Sequence, residues 1–166
     1  SNVKILEYIM RKFIVFIGAL FCVSTLYAGS DDTITFTLKN NTNSALLEKG
    51  VTAMAIMDRA PRIVGDPNPK CALTDSQPAT NKIAPGQSSD IFTVNKYKKG
   101  LCTYIVSIMF VGTAVEQGCV LRINVDKGNV TGVYYESDSS PKSVQCSGSS
   151  TSLSATLKPL KLKLPK

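Results

Sequence analysis

The chain has 166 residues and a formal net charge of +7 at pH 7, and it contains neither His nor Trp. The absence of His excludes Ser-His-Asp and Cys-His catalysis and the common His-based metal sites, so we expect no metal, no cofactor and no enzyme of those classes. Clustered Arg and Lys of the kind that marks a nucleic-acid footprint are missing, and we expect no nucleic-acid partner.

Residues 10–28 have the pattern of a secretory signal peptide. Met10 is followed by two basic residues and then by a largely apolar run over residues 13–26. Small residues at positions 28–30 permit cleavage after Ala28 or after Ser30. A spanning helix needs ~20 apolar residues and this run is shorter. We therefore predict a cleaved leader, with a retained N-terminal membrane anchor as the alternative, and interpret residues 1–9 as upstream sequence.

Cleavage of the leader would remove one of the five cysteines, because Cys22 lies within residues 10–28. The four that remain are Cys71, Cys102, Cys119 and Cys146. An even number of cysteines in an exported chain predicts two disulfides and a secreted or periplasmic location. Zinc would require closer ligand pairs, since the nearest two cysteines are 17 positions apart. Residues 29–166 are expected to form a single β domain.

Alternation of apolar and polar residues predicts a strand over residues 33–39, a turn over 40–44, and further strands over 51–57 and 91–95. Residues 59–90 contain five of the eight prolines. Because proline removes backbone donors and interrupts strand pairing, we predict a long proline-rich loop over this segment. Loops of such length in compact domains are usually functional or disordered.

The clearest alternation predicts three strands over residues 101–112, 119–126 and 130–136, arranged as a meander. If residues 113–116 form the first hairpin loop, Cys119 lies opposite Phe110, eight positions from Cys102. That separation is ~26 Å along the strands, far beyond the reach of a disulfide. The pairing Cys102–Cys119 is therefore excluded. Of the two remaining connectivities we prefer Cys71–Cys102 with Cys119–Cys146, because their loops are shorter.

The C-terminal part of the chain begins with residues 137–150, which are rich in Ser and Gly and predict a flexible link. Residues 153–166 contain two runs of alternating leucines, separated by Pro159. Leu and Lys alternate over residues 160–164, which predicts an edge strand or, alternatively, a detachable amphipathic tail.

These elements predict an all-β fold, an antiparallel β-sandwich of about seven or eight strands, with a small β-barrel as the alternative. The candidate binding residues lie at the start of the proline-rich segment and in a basic turn. They are Arg59, Arg62, Lys96, Tyr97, Lys98 and Lys99. Plain solvation explains such residues in many proteins, whereas the functional interpretation is contact with phosphates or anionic lipid headgroups.

The expected function is that of a secreted or periplasmic binding module with an unidentified partner on a host or envelope surface. The alternatives are a membrane-active protein that binds anionic lipid surfaces and a hydrolase that works without His. No catalytic residues are assigned, because the acidic residues that could be considered are scattered singly, at Asp58, Asp66, Asp75, Asp90, Glu116 and Glu136.

Overall fold

Ten strands and two short 3-10 helices follow one another in the computed structural model, which describes residues 32–65, 68–75, 82–113, 117–136 and 143–159. The strands are β1 (Thr33–Asn40), β2 (Met54–Met57), β3 (Arg62–Val64), β4 (Leu73–Asp75), β5 (Ser88–Asn95), β6 (Leu101–Val111), β7 (Gln117–Asp126), β8 (Asn129–Tyr135), β9 (Val144–Ser149) and β10 (Ser152–Leu157). The 3-10 helices are Ser44–Leu46 and Pro69–Cys71. The predicted leader and the Leu/Lys segment at residues 160–164 lie outside the described residues.

The strands form two sheets that pack against each other. The first sheet has the order β4-β5-β1-β10-β9, and β1 pairs with β10 in parallel. In the second sheet β2 and β3 both pair with β6, followed by β7 and β8. The predicted all-β sandwich is confirmed, and the described strands form two layers rather than a closed barrel. All pairs other than β1–β10 are antiparallel among these strands.

The core lies between the two sheets and follows the alternation of the sequence. Every second residue of β6 from Cys102 to Phe110 is buried, as is every second residue of β7 from Cys119 to Val125. Aromatic rings connect the layers: the rings of Phe36 and Phe92 stack with centroids 4.6 Å apart, and Phe92 lies 6.5 Å from Tyr104 of the second sheet. Burial of these faces supplies the main driving force for folding.

The predicted register of the β6–β7 hairpin is wrong by two residues. Cys119 lies opposite Ile108, and Phe110 lies opposite Gln117. β6 ends at Val111 because Gly112 adopts a left-handed conformation with φ +78°, which makes the connection longer than expected. An even shift keeps every side chain on its predicted face. Cys102 is still ~20 Å from Cys119 along the ladder, so their pairing stays excluded.

Two disulfides join the layers of the sandwich. Cys71, which precedes β4, pairs with Cys102 of β6 at a Cα–Cα distance of 5.7 Å. Cys119 of β7 pairs with Cys146 of β9 at 6.4 Å. This is the connectivity preferred from loop length. Each bond closes a loop of about 30 residues and stabilises the fold by roughly 3 to 4 kcal/mol in the loop-entropy description.

The prediction of an unbroken loop over residues 59–90 is wrong. The segment contains β3, β4, the 3-10 helix Pro69–Cys71 and the first residues of β5. Asn68 caps that helix by accepting a hydrogen bond from the Lys70 amide at 3.0 Å. β3 and β4 have only three residues each, and they pair with β6 and β5 respectively. Such short strands exist only because a partner strand is already in place.

The prediction of a flexible link over residues 137–150 is also wrong in its second half, where β9 pairs with β10. Gly148 serves packing there rather than flexibility. A Cβ atom at this position would lie 2.6 Å from Val133 Cγ1 and 2.8 Å from Leu153 Cδ2. The small residue lets β9 approach β8 and β10 closely.

One end of the sandwich, which we call the Asn40 end, is organised by a buried amide. The predicted turn over residues 40–44 begins too early, because Asn40 is the last residue of β1 and is fully buried. Its Nδ2 donates to the carbonyls of Ala53 and Ile83, both at 2.8 Å, and its Oδ1 accepts from the Thr42 amide at 3.1 Å. Three separate segments are joined by this one side chain.

The strand predicted over residues 51–57 starts only at Met54. Ala53, directly before it, has a left-handed backbone with φ +44°, which interrupts the extended chain. The carbonyl of Ala53 is one of the two held by Asn40. The buried amide therefore helps to hold a backbone conformation that is unfavourable for alanine.

Candidate functional site

Five lysines lie at the end of the sandwich opposite Asn40, where the chain turns from β5 to β6 and from β7 to β8. They are Lys70, Lys96, Lys98, Lys99 and Lys127. Four of the five are exposed and Lys96 is half-buried. We call these lysines, together with Tyr97 and Leu101, the basic end. Three separate segments of the chain contribute to it, so it exists only in the folded protein.

Two turns of the basic end are held directly against each other. The Lys127 amide donates to the Gly100 carbonyl at 3.0 Å. Lys127 and Gly128 form the two-residue connection between β7 and β8, with φ +49° and +78°. A Cβ atom on Gly128 would lie 2.6 Å from Lys96 Cγ, so only glycine allows this approach without movement of the lysine. Lys96 and Lys127 are thereby placed side by side.

The turn that follows β5 is anchored to the start of β1. The Lys96 amide donates to the Asp32 carbonyl at 2.6 Å, and Lys98 Nζ lies 3.6 Å from Asp32 Oδ1. The side chains of this ion pair are 61% and 80% exposed, so water and salt screen most of its energy. Within the described ranges Lys98 is the only one of the five lysines in an ion pair. Asp126, which lies opposite Leu101, belongs to the same end as Asp32, so the five lysines outnumber the two carboxylates and leave the basic end with a net positive charge.

Lys70 is held at the basic end because the next residue, Cys71, forms a disulfide with β6. Cys71 is bonded to Cys102, the second residue of β6, and Lys70 Nζ lies 5.8 Å from the centre of the Tyr97 ring. Tyr104 supports this arrangement from inside, because its hydroxyl donates to the Cys71 carbonyl at 3.0 Å. Burial raises the pKa of Tyr104 to about 12, which keeps the hydroxyl protonated as a donor.

The six residues predicted as a binding site separate into two groups. Lys96, Tyr97, Lys98 and Lys99 all belong to the basic end. Arg62 lies on β3 opposite Ile105, which is ~13 Å along β6 from Leu101. Arg59 precedes β3, and its guanidinium is 3.1 Å from the carboxylate of Asp58. The structure thus keeps the two arginines apart from the basic turn.

Lys70 and Lys127 are members of the basic end that the sequence reasoning missed. Both adjoin features that the sequence does reveal: Lys127 lies in the predicted turn after β7, and Lys70 precedes a cysteine of the preferred disulfide. Placing the predicted disulfide and the predicted turn at the same end would have identified them. That step requires the relative positions of β4, β6 and β8, which no local pattern supplies.

The outer faces of the two sheets have different chemistry. On the first sheet hydroxyls bond across strands, as between Thr35 and Thr93 at 2.9 Å. The outer face of the second sheet carries half-buried apolar residues and one ion pair, in which Arg122 Nη2 lies 2.5 Å from Glu136 Oε1. The hydrogen bond from Arg122 lowers the pKa of Glu136, and the same bond raises that of Arg122. Two guanidinium groups, those of Arg59 and Arg122, are therefore already bound to carboxylates of the chain.

The chemistry available in the described part of the chain is that of charge and shape. All four cysteines there are in disulfides, and the described residues include no group of three or more side chains suited to hold a metal ion. None of the helices in these ranges has the length and hydropathy needed to span a bilayer. The two disulfides indicate an oxidising environment, extracellular or periplasmic.

No protein-family model, curated protein or solved structure matches this chain.

Proposed function

We propose that the protein is an exported binding module that contacts an anionic partner surface through its basic end. The observation that carries the proposal is the convergence of five lysines from three chain segments on one end, with a single ion pair among them in the described residues. Cleavage of the leader at residues 10–28 and release into an oxidising compartment are part of the proposal, supported by the signal-peptide pattern and by the two disulfides.

Concentrated positive charge favours association with an anionic surface. Like charges on neighbouring turns repel each other, so the arrangement contributes little to folding and becomes favourable when a negative surface approaches. The interaction is expected to be long-ranged at low salt and to weaken as the screening length falls to about 8 Å at physiological ionic strength. We propose binding rather than catalysis, since the chain has no His and its four paired cysteines have no free thiol.

Retention on a heparin resin, with the full chain produced under oxidising conditions, tests the role of the basic end. One variant removes its charges with Lys96→Gln, Lys98→Gln, Lys99→Gln and Lys127→Gln. A control of equal net charge removes four charges elsewhere with Lys39→Gln, Lys49→Gln, Arg59→Gln and Lys158→Gln, all at exposed positions. The two proteins differ only in where the charge was lost.

The unmodified chain and the control are expected to elute at similar salt concentrations, and the basic-end variant at a clearly lower one. The free energy of unfolding should change by less than about 0.5 kcal/mol for both, because all of the replaced charges are exposed apart from that of the half-buried Lys96, and such charges contribute little to stability. If both variants lose retention equally, overall charge rather than the basic end determines binding and the proposal is wrong.

A further inference from the structure

We infer that the anionic surface is a phospholipid bilayer, and that Leu101 enters its headgroup layer while the lysines of the basic end contact lipid phosphates. This inference rests on the proposed function and names the partner of the same site. It starts from an apolar residue that a purely electrostatic site does not explain. Leu101 is 59% exposed and follows the basic turn directly, at the first position of β6.

Leu101 directly follows Gly100, against which an amphipathic side chain packs. The Tyr97 ring lies over Gly100, since a Cβ atom on that glycine would be 2.6 Å from Tyr97 Cε1. Tyr97 is half-buried against the core, and Lys70 approaches its ring from the other segment. Leucine and tyrosine beside lysines make a surface with an apolar part and a charged part, as is typical of residues at a membrane–water interface.

The lysines of the basic end also suit a fluid lipid surface. The planar fork of arginine binds carboxylates and phosphates in a fixed bidentate geometry, whereas lysine binds them as a point charge without a fixed geometry. In this chain Arg59 and Arg122 are bound to Asp58 and Glu136, and the basic end contains only lysines. A lysine offers a point charge on a long apolar stem, which can lie along the acyl boundary while its ammonium reaches a phosphate. Each lysine near an anionic bilayer is expected to strengthen binding about fivefold.

Flotation with vesicles provides the test, with the oxidised chain after cleavage of the leader, because the apolar leader could itself enter a bilayer. Vesicles of phosphatidylcholine mixed with phosphatidylglycerol are compared with vesicles of phosphatidylcholine alone. Leu101→Ser is compared with Leu46→Ser, a matched control because Leu46 is 58% exposed and lies in the 3-10 helix after β1, at the Asn40 end. The four-lysine variant of the basic end and its equal-charge control complete the set.

We expect binding to the anionic vesicles and not to the neutral ones. The four-lysine variant should bind the anionic vesicles roughly several hundredfold more weakly, and Leu101→Ser about fivefold more weakly. Leu46→Ser should bind as the unmodified chain does. On the heparin resin Leu101→Ser should elute unchanged, which separates insertion of the leucine from attraction of charge.

Four results would overturn the inference. Retention on heparin without binding to anionic vesicles would assign the basic end to a soluble acidic partner and leave the proposed function standing. If the unmodified chain binds neither the heparin resin nor the anionic vesicles, both the inference and the proposed function are wrong. Equal binding of Leu101→Ser and Leu46→Ser to anionic vesicles, or equal binding of the unmodified chain to both kinds of vesicle, would show that Leu101 and the lysines do not act as described.

Discussion

The two ends of the sandwich use polar groups in opposite ways. At the Asn40 end they point inward: the amide of Asn40 is fully buried with both of its polar atoms bonded, and Thr42 Oγ1 accepts from the Leu157 amide at 3.0 Å. At the basic end they point outward, and in the described residues Lys98 alone among the lysines has an ionic partner. Polar groups therefore stabilise the fold at one end and stay available for a partner at the other.

Asn40→Ala should have the largest effect on stability and would break the Asn40 end. The carbonyls of Ala53 and Ile83 and the Thr42 amide lose their partner. Each buried group left unsatisfied costs about 1 to 3 kcal/mol, so we expect a loss of about 3 to 5 kcal/mol in the free energy of unfolding, measured by chemical denaturation. Asn41→Ala, at the exposed neighbour, is the control and should change it by less than about 0.5 kcal/mol. A loss below about 1 kcal/mol for Asn40→Ala would contradict this account of the Asn40 end.

Removal of the two disulfides should have similar effects on stability but different effects on heparin binding. Replacing either pair by alanines, Cys71 with Cys102 or Cys119 with Cys146, should lower the free energy of unfolding by roughly 3 to 4 kcal/mol. Only the first replacement should also reduce retention on heparin, because that bond holds the segment of Lys70 against the basic end. An equal change in retention for both pairs would mean that the disulfides support the site only through overall stability.

Tyr104→Phe should have the smallest effect, about 1 kcal/mol, because it leaves one buried carbonyl, that of Cys71, without its hydroxyl donor. The effect should depend on pH. Burial raises the pKa of Tyr104 to about 12, so the stability linked to its protonated form is complete below the unfolded value of 10 and is lost as the pH rises toward 12. Between pH 10 and pH 12 the free energy of unfolding, measured by chemical denaturation, should therefore fall more steeply with pH for the unmodified chain than for Tyr104→Phe. If the free energy of unfolding falls equally with pH for both proteins, the Tyr104 hydroxyl does not donate to the Cys71 carbonyl as described.

Much of the strand content could be predicted from the sequence, because alternation is a local property. The period-two pattern located β6 and β7 within one or two residues, and the run over residues 33–39 located β1. The number and loop lengths of the cysteines led to the disulfide connectivity. The part of the basic end that lies in one turn, Lys96 to Lys99, was found for the same reason: its residues are neighbours in the chain.

The sequence by itself determined which faces are apolar, which four cysteines lie outside the predicted leader and where the main turns fall, since each of these depends on residues close to one another. Only the tertiary structure decided the parallel pairing of β1 with β10, the existence of β3, β4 and β9, and the union of Lys70 and Lys127 with the basic turn. Short strands take their hydrogen bonds from distant partners, and a charged end takes its residues from distant turns. The contrast between the Asn40 end and the basic end arises from these long-range contacts.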